Sequence, residues 1–175
     1  MLRILTPRSL GLAWLAAAAL LAAPQAADAQ VRLLAGGGLS TPVGDFGDVA
    51  EAGWHLTGGM TLGVPTIPVA LRADGSFHSF GQASGSPSVD MLGGGLSLVV
   101  NLPGVGLVPY VLGGVDTFRT TVEGSDAVSD NGFHAAFGVN IGAIGFGGFG
   151  EVRFVNVKAE AQDARFVTAT LGFRL

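Results

Sequence analysis

From Val31 to Leu175 the chain alternates apolar and polar residues over short stretches, each bounded by Pro, Gly or a polar cluster. A period of two puts successive side chains on opposite faces of an extended strand. In Pro68 to Phe80 one face reads Val69, Leu71, Ala73, Gly75, Phe77 and the other Ala70, Arg72, Asp74, Ser76, His78. The same split runs through Trp54 to Gly63, Phe133 to Gly142 and Val167 to Leu175. Four further segments, Val31–Ser40, Ser88–Asn101, Leu107–Thr120 and Gly147–Lys158, take their parity from Arg32, Ser97, Asp116, and Glu151 with Arg153. The pattern predicts an all-β fold, an eight-stranded antiparallel up-and-down transmembrane β-barrel, whose tilted strands need about 9–11 residues each to cross a bilayer.

The predicted connections alternate in length. Those at 64–68, 102–106 and 142–146 are tight, whereas Thr41–Gly53, Gly81–Pro87, Thr121–Asn131 and Ala159–Ala164 are longer and carry most of the acidic residues outside the strands. Short turns at one end and longer loops at the other match the periplasmic and extracellular ends of an outer-membrane barrel. The turn Pro65-Thr66-Ile67-Pro68, centred between residues 66 and 67, also predicts a register: Leu62 with Leu71, Met60 with Ala73 and Leu56 with Phe77 on one face, Thr61 with Arg72, Gly59 with Asp74 and His55 with His78 on the other.

Alternation alone does not say which face meets lipid, since a soluble lipocalin-type ligand-binding barrel has the same period. Composition decides. A water-facing exterior is rich in Lys and Glu, yet beyond residue 29 the chain has a single lysine, Lys158, and its polar face is mostly Gly, Ser, Thr and Ala. Small residues suit a crowded lumen, and the uncharged Leu, Val, Phe and Ile face suits lipid. Trp54 and Tyr110 are the only large amphipathic aromatics there, so Phe77, Phe80, Phe118, Phe133 and Phe166 near the loops and Phe146, Phe149 and Phe173 near the turns are expected to form the interfacial girdles.

The first 29 residues read as a secretory signal peptide: Arg3 and Arg8, an apolar run from Leu10 to Ala23, then Ala27-Asp28-Ala29 as the cleavage site. The apolar run is short of the ~20 residues a membrane-spanning helix needs. Residues 30–175 are then one outer-membrane β-barrel domain. Losing the signal takes the net charge from −4 to −5, which argues against nucleic acid as a partner. The absence of cysteine leaves burial and strand pairing to hold the fold.

Candidate chemistry lies on the polar face. Arg72, Asp74, Asp116, Glu151 and Arg153 are expected to form a bonded charge network filling a narrow lumen, because unpaired buried charge is costly. His55, His78 and His134 fall near the loop ends as rim histidines, where a metal site or a pH-sensitive rim is conceivable but no carboxylate or cysteine is spaced to complete a ligand set. His134 is followed by two alanines, and no G-x-S-x-G and no G-x-G-x-x-G leading into a helix occurs, so neither an enzyme nor a cofactor is expected.

The opening Gly36-Gly37-Gly38-Leu39-Ser40-Thr41-Pro42-Val43-Gly44-Asp45-Phe46, the stretch Pro109-Tyr110-Val111-Leu112-Gly113-Gly114 and the amphipathic last strand resemble the small OmpA/OmpX-like outer-membrane β-barrel family, over residues 30–175. The resemblance implies a bacterial outer-membrane protein, with lipid around it and the barrel insertion machinery reading its C-terminal strand. That strand normally closes on an aromatic residue, whereas this one closes on Phe173-Arg174-Leu175. It also implies that the periplasmic peptidoglycan-binding domain of larger relatives is missing here. The expected function is structural or surface-interacting, with a small passive channel (porin-like) as the alternative and a soluble periplasmic ligand-binding barrel behind it.

Overall fold

A computed structural model describes residues 30–64, 67–82, 88–122, 127–142, 147–159 and 163–175. The expected signal peptide, with its cleavage site, lies outside the described residues, as do parts of five connections, Phe146 among them.

Eight strands, β1 (Gln30–Val43), β2 (Ala50–Gly63), β3 (Val69–Gln82), β4 (Val89–Asn101), β5 (Leu107–Val122), β6 (Val128–Gly142), β7 (Gly147–Lys158) and β8 (Ala164–Arg174), pair in sequence order into a closed antiparallel barrel. The seam is β1 against β8, from Leu34 opposite Arg174 to Val43 opposite Arg165. Leu33 and Leu175 extend it by exchanging two backbone hydrogen bonds of 2.9 Å. No strand edge is left free, which a bilayer demands because an unsatisfied backbone group in hydrocarbon costs several kcal/mol.

The register read from the Pro65–Pro68 turn is the one observed: Leu62 faces Leu71, Met60 faces Ala73, Leu56 faces Phe77, and His55 faces His78. It shifts only nearer the loop, between Glu51 and Trp54. This bulge flips parity, so Ala50 and His55 both point inward although they are five positions apart. Gly53 sits at the irregularity, where a Cβ would come within 1.9 Å of the Ser79 carbonyl oxygen; only glycine allows the two backbones so close.

Several strands run past their expected ends. The largest correction is at Thr41–Gly53, expected to be a long loop: β1 continues to Val43, β2 begins at Ala50, and a single 3-10 turn, Gly44–Asp48, joins them. Pairing explains the extension, because Pro42 and Val43 lie beside Phe166 and Arg165 on β8 and complete the seam. The Phe46 side chain of that turn folds down into the barrel mouth.

The apolar face points outward along every strand, with Leu39, Leu56, Leu71, Leu96, Val115, Phe137, Val152 and Leu171 all exposed. The expected aromatic girdle needs correction. Trp54, Phe77, Phe133 and Phe173 are on the outer face, but Phe80, Phe118, Phe149, Phe166 and Tyr110 point inward, Phe166 with no exposed surface at all. Parity accounts for each: Phe80 lies two residues from His78, Phe118 two from Asp116, Phe149 two from Glu151 and Phe166 two from Thr168, all on the lumen face. The period of two outweighs proximity to a strand end.

Leu96 sits mid-strand on β4 and is 65% exposed, so Leu96→Lys should destabilise the bilayer-inserted barrel by about 2–4 kcal/mol in denaturant unfolding from lipid vesicles. An unchanged midpoint would mean that this face does not meet hydrocarbon.

Candidate functional site

The lumen is filled in layers. At the loop end Phe46, Phe80, Met91, Phe118, Val155, Val157 and Phe166 form an apolar plug. Phe166 meets Phe80 edge-to-face at 5.3 Å and Phe118 at 6.1 Å, which closes the mouth with rings rather than with water-filled space.

Below the plug lies the histidine layer. His55 and His78 stack at 5.3 Å with an interplanar angle of 26°. Both aim Nδ1 at the Ser40 hydroxyl, at 3.2 and 3.0 Å, while Nε2 of His55 meets the Thr170 hydroxyl at 2.9 Å and that of His78 meets Ser76 at 3.0 Å. One hydroxyl carries one proton. With both rings neutral, Ser40 donates to one Nδ1 and accepts from the other, so the two rings must hold opposite tautomers and the chain from Thr170 to Ser76 has a single direction at a time.

Next comes the charge layer. Arg72 and Asp74 rise from β3 and Glu151 and Arg153 from β7, four strands away on the opposite wall. Arg72 Nη1 donates to Glu151 Oε2 at 2.6 Å, and Arg153 donates to Asp74 Oδ2 at 2.8 Å and to Glu151 Oε1 at 3.0 Å. Tyr110 adds its hydroxyl to Glu151 Oε2 at 2.7 Å. Two cations against two anions make a neutral, buried crossbar that ties opposite walls of the barrel. It is not fully satisfied: among the described residues Arg72 Nε, Arg72 Nη2 and Asp74 Oδ1 lack a hydrogen-bond partner, and Nε stands 3.6 Å from Oδ1.

Asp116, expected in this network, lies outside the quartet. Its Oδ2 is 2.5 Å from Nδ1 of His134, and Nε2 of His134 is 2.8 Å from the Ser97 hydroxyl. The reason is local. His134 is one strand away and reaches over Gly114, where a Cβ would stand 2.8 Å from its ring, and Asp116 leans over Gly95, where a Cβ would be 2.1 Å from the carboxylate. An ionised carboxylate only accepts, so it holds the His134 proton on Nδ1, and Ser97 then donates to Nε2. The histidines expected as one rim group therefore divide into a stacked pair and a third ring bound into another cluster.

Sequence reasoning missed this Ser97–His134–Asp116 arrangement because its members are far apart in the chain and share no motif; the lumen parity of each was the one available signal. In outline it is a nucleophile, base and orienting acid. Ser97, however, is 3% exposed, and the larger lumen cavity, the vestibule at the turn end, is lined by other residues. The trio binds β4, β5 and β6 together across the lumen wall.

Residues 12–170 match the family described as Outer membrane protein beta-barrel domain, and the chain belongs to that family. The barrel of Neisserial surface protein A superimposes with a TM-score of 0.71 at 13% identity, covering 84% of this chain and 97% of that one. The N-terminal β-barrel domain of Pseudomonas aeruginosa OprF is similar with a TM-score of 0.50 at 14% identity, covering 85% and 100%. A major outer membrane protein from Thermus thermophilus gives 0.51 at 10% identity, covering 84% and 98%. At such identities the likeness is one of fold. No curated protein matches the sequence well enough to count as a relative. The chain is thus an outer-membrane β-barrel protein with lipid around it.

Arg72→Met, which leaves Glu151 and Asp74 sharing one cation, should cost ~3–5 kcal/mol in unfolding from detergent or lipid, and adding Glu151→Met should recover much of that loss because a neutral Arg153–Asp74 pair remains. Equal stability of the single variant and the wild type would mean that the layer is solvated. Ser40→Ala strands two buried imidazole nitrogens and should lower stability by about 1–3 kcal/mol; a neutral outcome would show that the two rings find other partners.

Proposed function

We propose that the chain is a non-enzymatic integral outer-membrane barrel with a side-chain-filled lumen, exported by a cleaved signal over residues 1–29 and acting in a structural or surface-interaction role. The observation that carries this reading is the succession of an apolar ring plug and a cross-bonded charge layer inside the barrel. A conducting pore needs a continuous wet path, and a charge layer that donates and accepts within itself offers ions little to exchange for their hydration shells. Chemistry on a substrate needs an accessible reacting group, and the Ser97 hydroxyl is walled in. The C-terminal strand, with Phe173 on its outer face, supplies the segment that the insertion machinery would read. The fold shared with a neisserial surface protein agrees with display at the cell surface.

The purified protein should run as a heat-modifiable band from the outer-membrane fraction and show no stepwise conductance in planar bilayers. Discrete openings that change with Arg153→Gln would establish the channel instead. A fluorophosphonate probe should leave the folded barrel unlabelled; labelling lost in Ser97→Ala would make the trio a hydrolase.

A further inference from the structure

The turn end of the lumen is not filled. A vestibule of about 600 Å³ opens there, a volume in the range of small-molecule sites. Arg32, Arg72 and Arg174 line it, and none of its lining residues is Asp or Glu. The three come from neighbouring strands in one arc: Arg174 on β8 lies beside Leu34 of β1, Arg32 on β1 faces Thr61 of β2, and Thr61 faces Arg72 of β3. The opposite wall supplies Tyr110 and Asn140, both neutral hydrogen-bonding groups.

The charges of Arg32 and Arg174 do not cancel within the protein, and among the described residues Arg72, though paired with Glu151, keeps Nη2 without a hydrogen-bond partner. Arg32 donates to the Gln30 side chain at 2.8 Å, a neutral partner, and among the described residues neither Arg32 nor Arg174 has an ion-pair partner. Arg174 is half-buried within the field of both Arg32 and Arg72. Glu151 lies below the vestibule floor and is already engaged by Arg72, Arg153 and Tyr110, so it cannot serve the two outer arginines. Like charges converging on a partly enclosed cavity raise its potential and its attraction for an anion. Guanidinium forks match the oxygens of phosphate. The walls between them, Leu34, Val99 and Phe149 among others, are apolar.

We propose that this vestibule is a binding site for a phosphate oxyanion carried on a partly apolar body, held by Arg32 and Arg174 and floored by Arg72. Two sources share that chemistry at the periplasmic mouth, a phospholipid headgroup from the inner leaflet and a soluble periplasmic phosphate compound. Binding itself does not depend on the proposed structural or surface role, so the two stand or fall separately.

The test uses the folded chain in micelles of an uncharged maltoside detergent, which carries no phosphate, with inorganic phosphate as probe at constant ionic strength and chloride as the control. Phosphate should bind saturably by calorimetry, with affinity about tenfold weaker in Arg32→Gln and in Arg174→Gln, each removing one charged partner. Arg165→Gln, at the far end of β8 beside Asp163, should bind as the wild type does. Because Arg174 belongs to the closing strand and its variant can fail to insert, Arg32→Gln alone is sufficient to decide. Repeating the titration with phosphatidylglycerol added to the micelles separates the sources: phosphate binding suppressed by the lipid identifies the headgroup, and binding left intact identifies the soluble compound. No saturable binding, or equal affinity in wild type and Arg32→Gln, overturns the proposal.

Discussion

Everything in this protein depends on the pairing of β1 with β8. Backbone N–H and C=O groups in hydrocarbon have no water to turn to, so a sheet there must have no edges. The seam from Leu34–Arg174 to Val43–Arg165, with Leu33 and Leu175 bonded beyond it, removes the last two edges at once. Glycine is what lets the seam close tightly. At Gly38 a Cβ would stand 1.8 Å from the Ala169 carbonyl oxygen and at Gly36 2.8 Å from that of Leu171, so glycine in mid-β1 is a steric requirement of closure.

Closure with eight strands then dictates the lumen. A barrel of this size has room for side chains and little else, and exterior leucine gains nothing by turning inward, since lipid is as apolar as a core. What fills the interior must therefore be specified by fit and bonding. The rings of the plug meet edge-to-face, the histidines share Ser40, and the arginines and carboxylates bond to one another across the barrel. The charge quartet is less a source of stability than a restriction on alternatives, because slipping one strand by a residue would turn Arg72 and Asp74 to lipid.

The two ends of the lumen differ for the same reason. At the loop end the 3-10 turn drops Phe46 into the mouth, where it packs with the plug. At the turn end Val64, Pro68, Leu102 and Gly104 of the connections border the opening without filling it, and the vestibule remains with its arginines. Lumen polarity thus runs from an apolar seal, through hydrogen-bonded and ionic layers, to an open cationic mouth.

Strand number, hairpin order, outward face and the β2–β3 register were legible in the chain, because each depends on a period of two and on a short turn, and both are local properties. The lumen position of Arg72, Asp74, Glu151, Arg153 and the three histidines follows from the same parity. Parity also held the inward aim of Phe80, Phe118, Phe149 and Phe166, which closeness to the strand ends obscured. What the sequence could not decide is which inward side chain meets which. Strand tilt and stagger bring residues from opposite walls together, so that Arg72 finds Glu151 79 positions away and His55 finds Thr170 115 positions away. Asp116 likewise meets His134 instead of the quartet because Gly95 and Gly114 leave space beside it. These contacts are set by closure in three dimensions, and no pattern along the chain encodes the distance across a barrel.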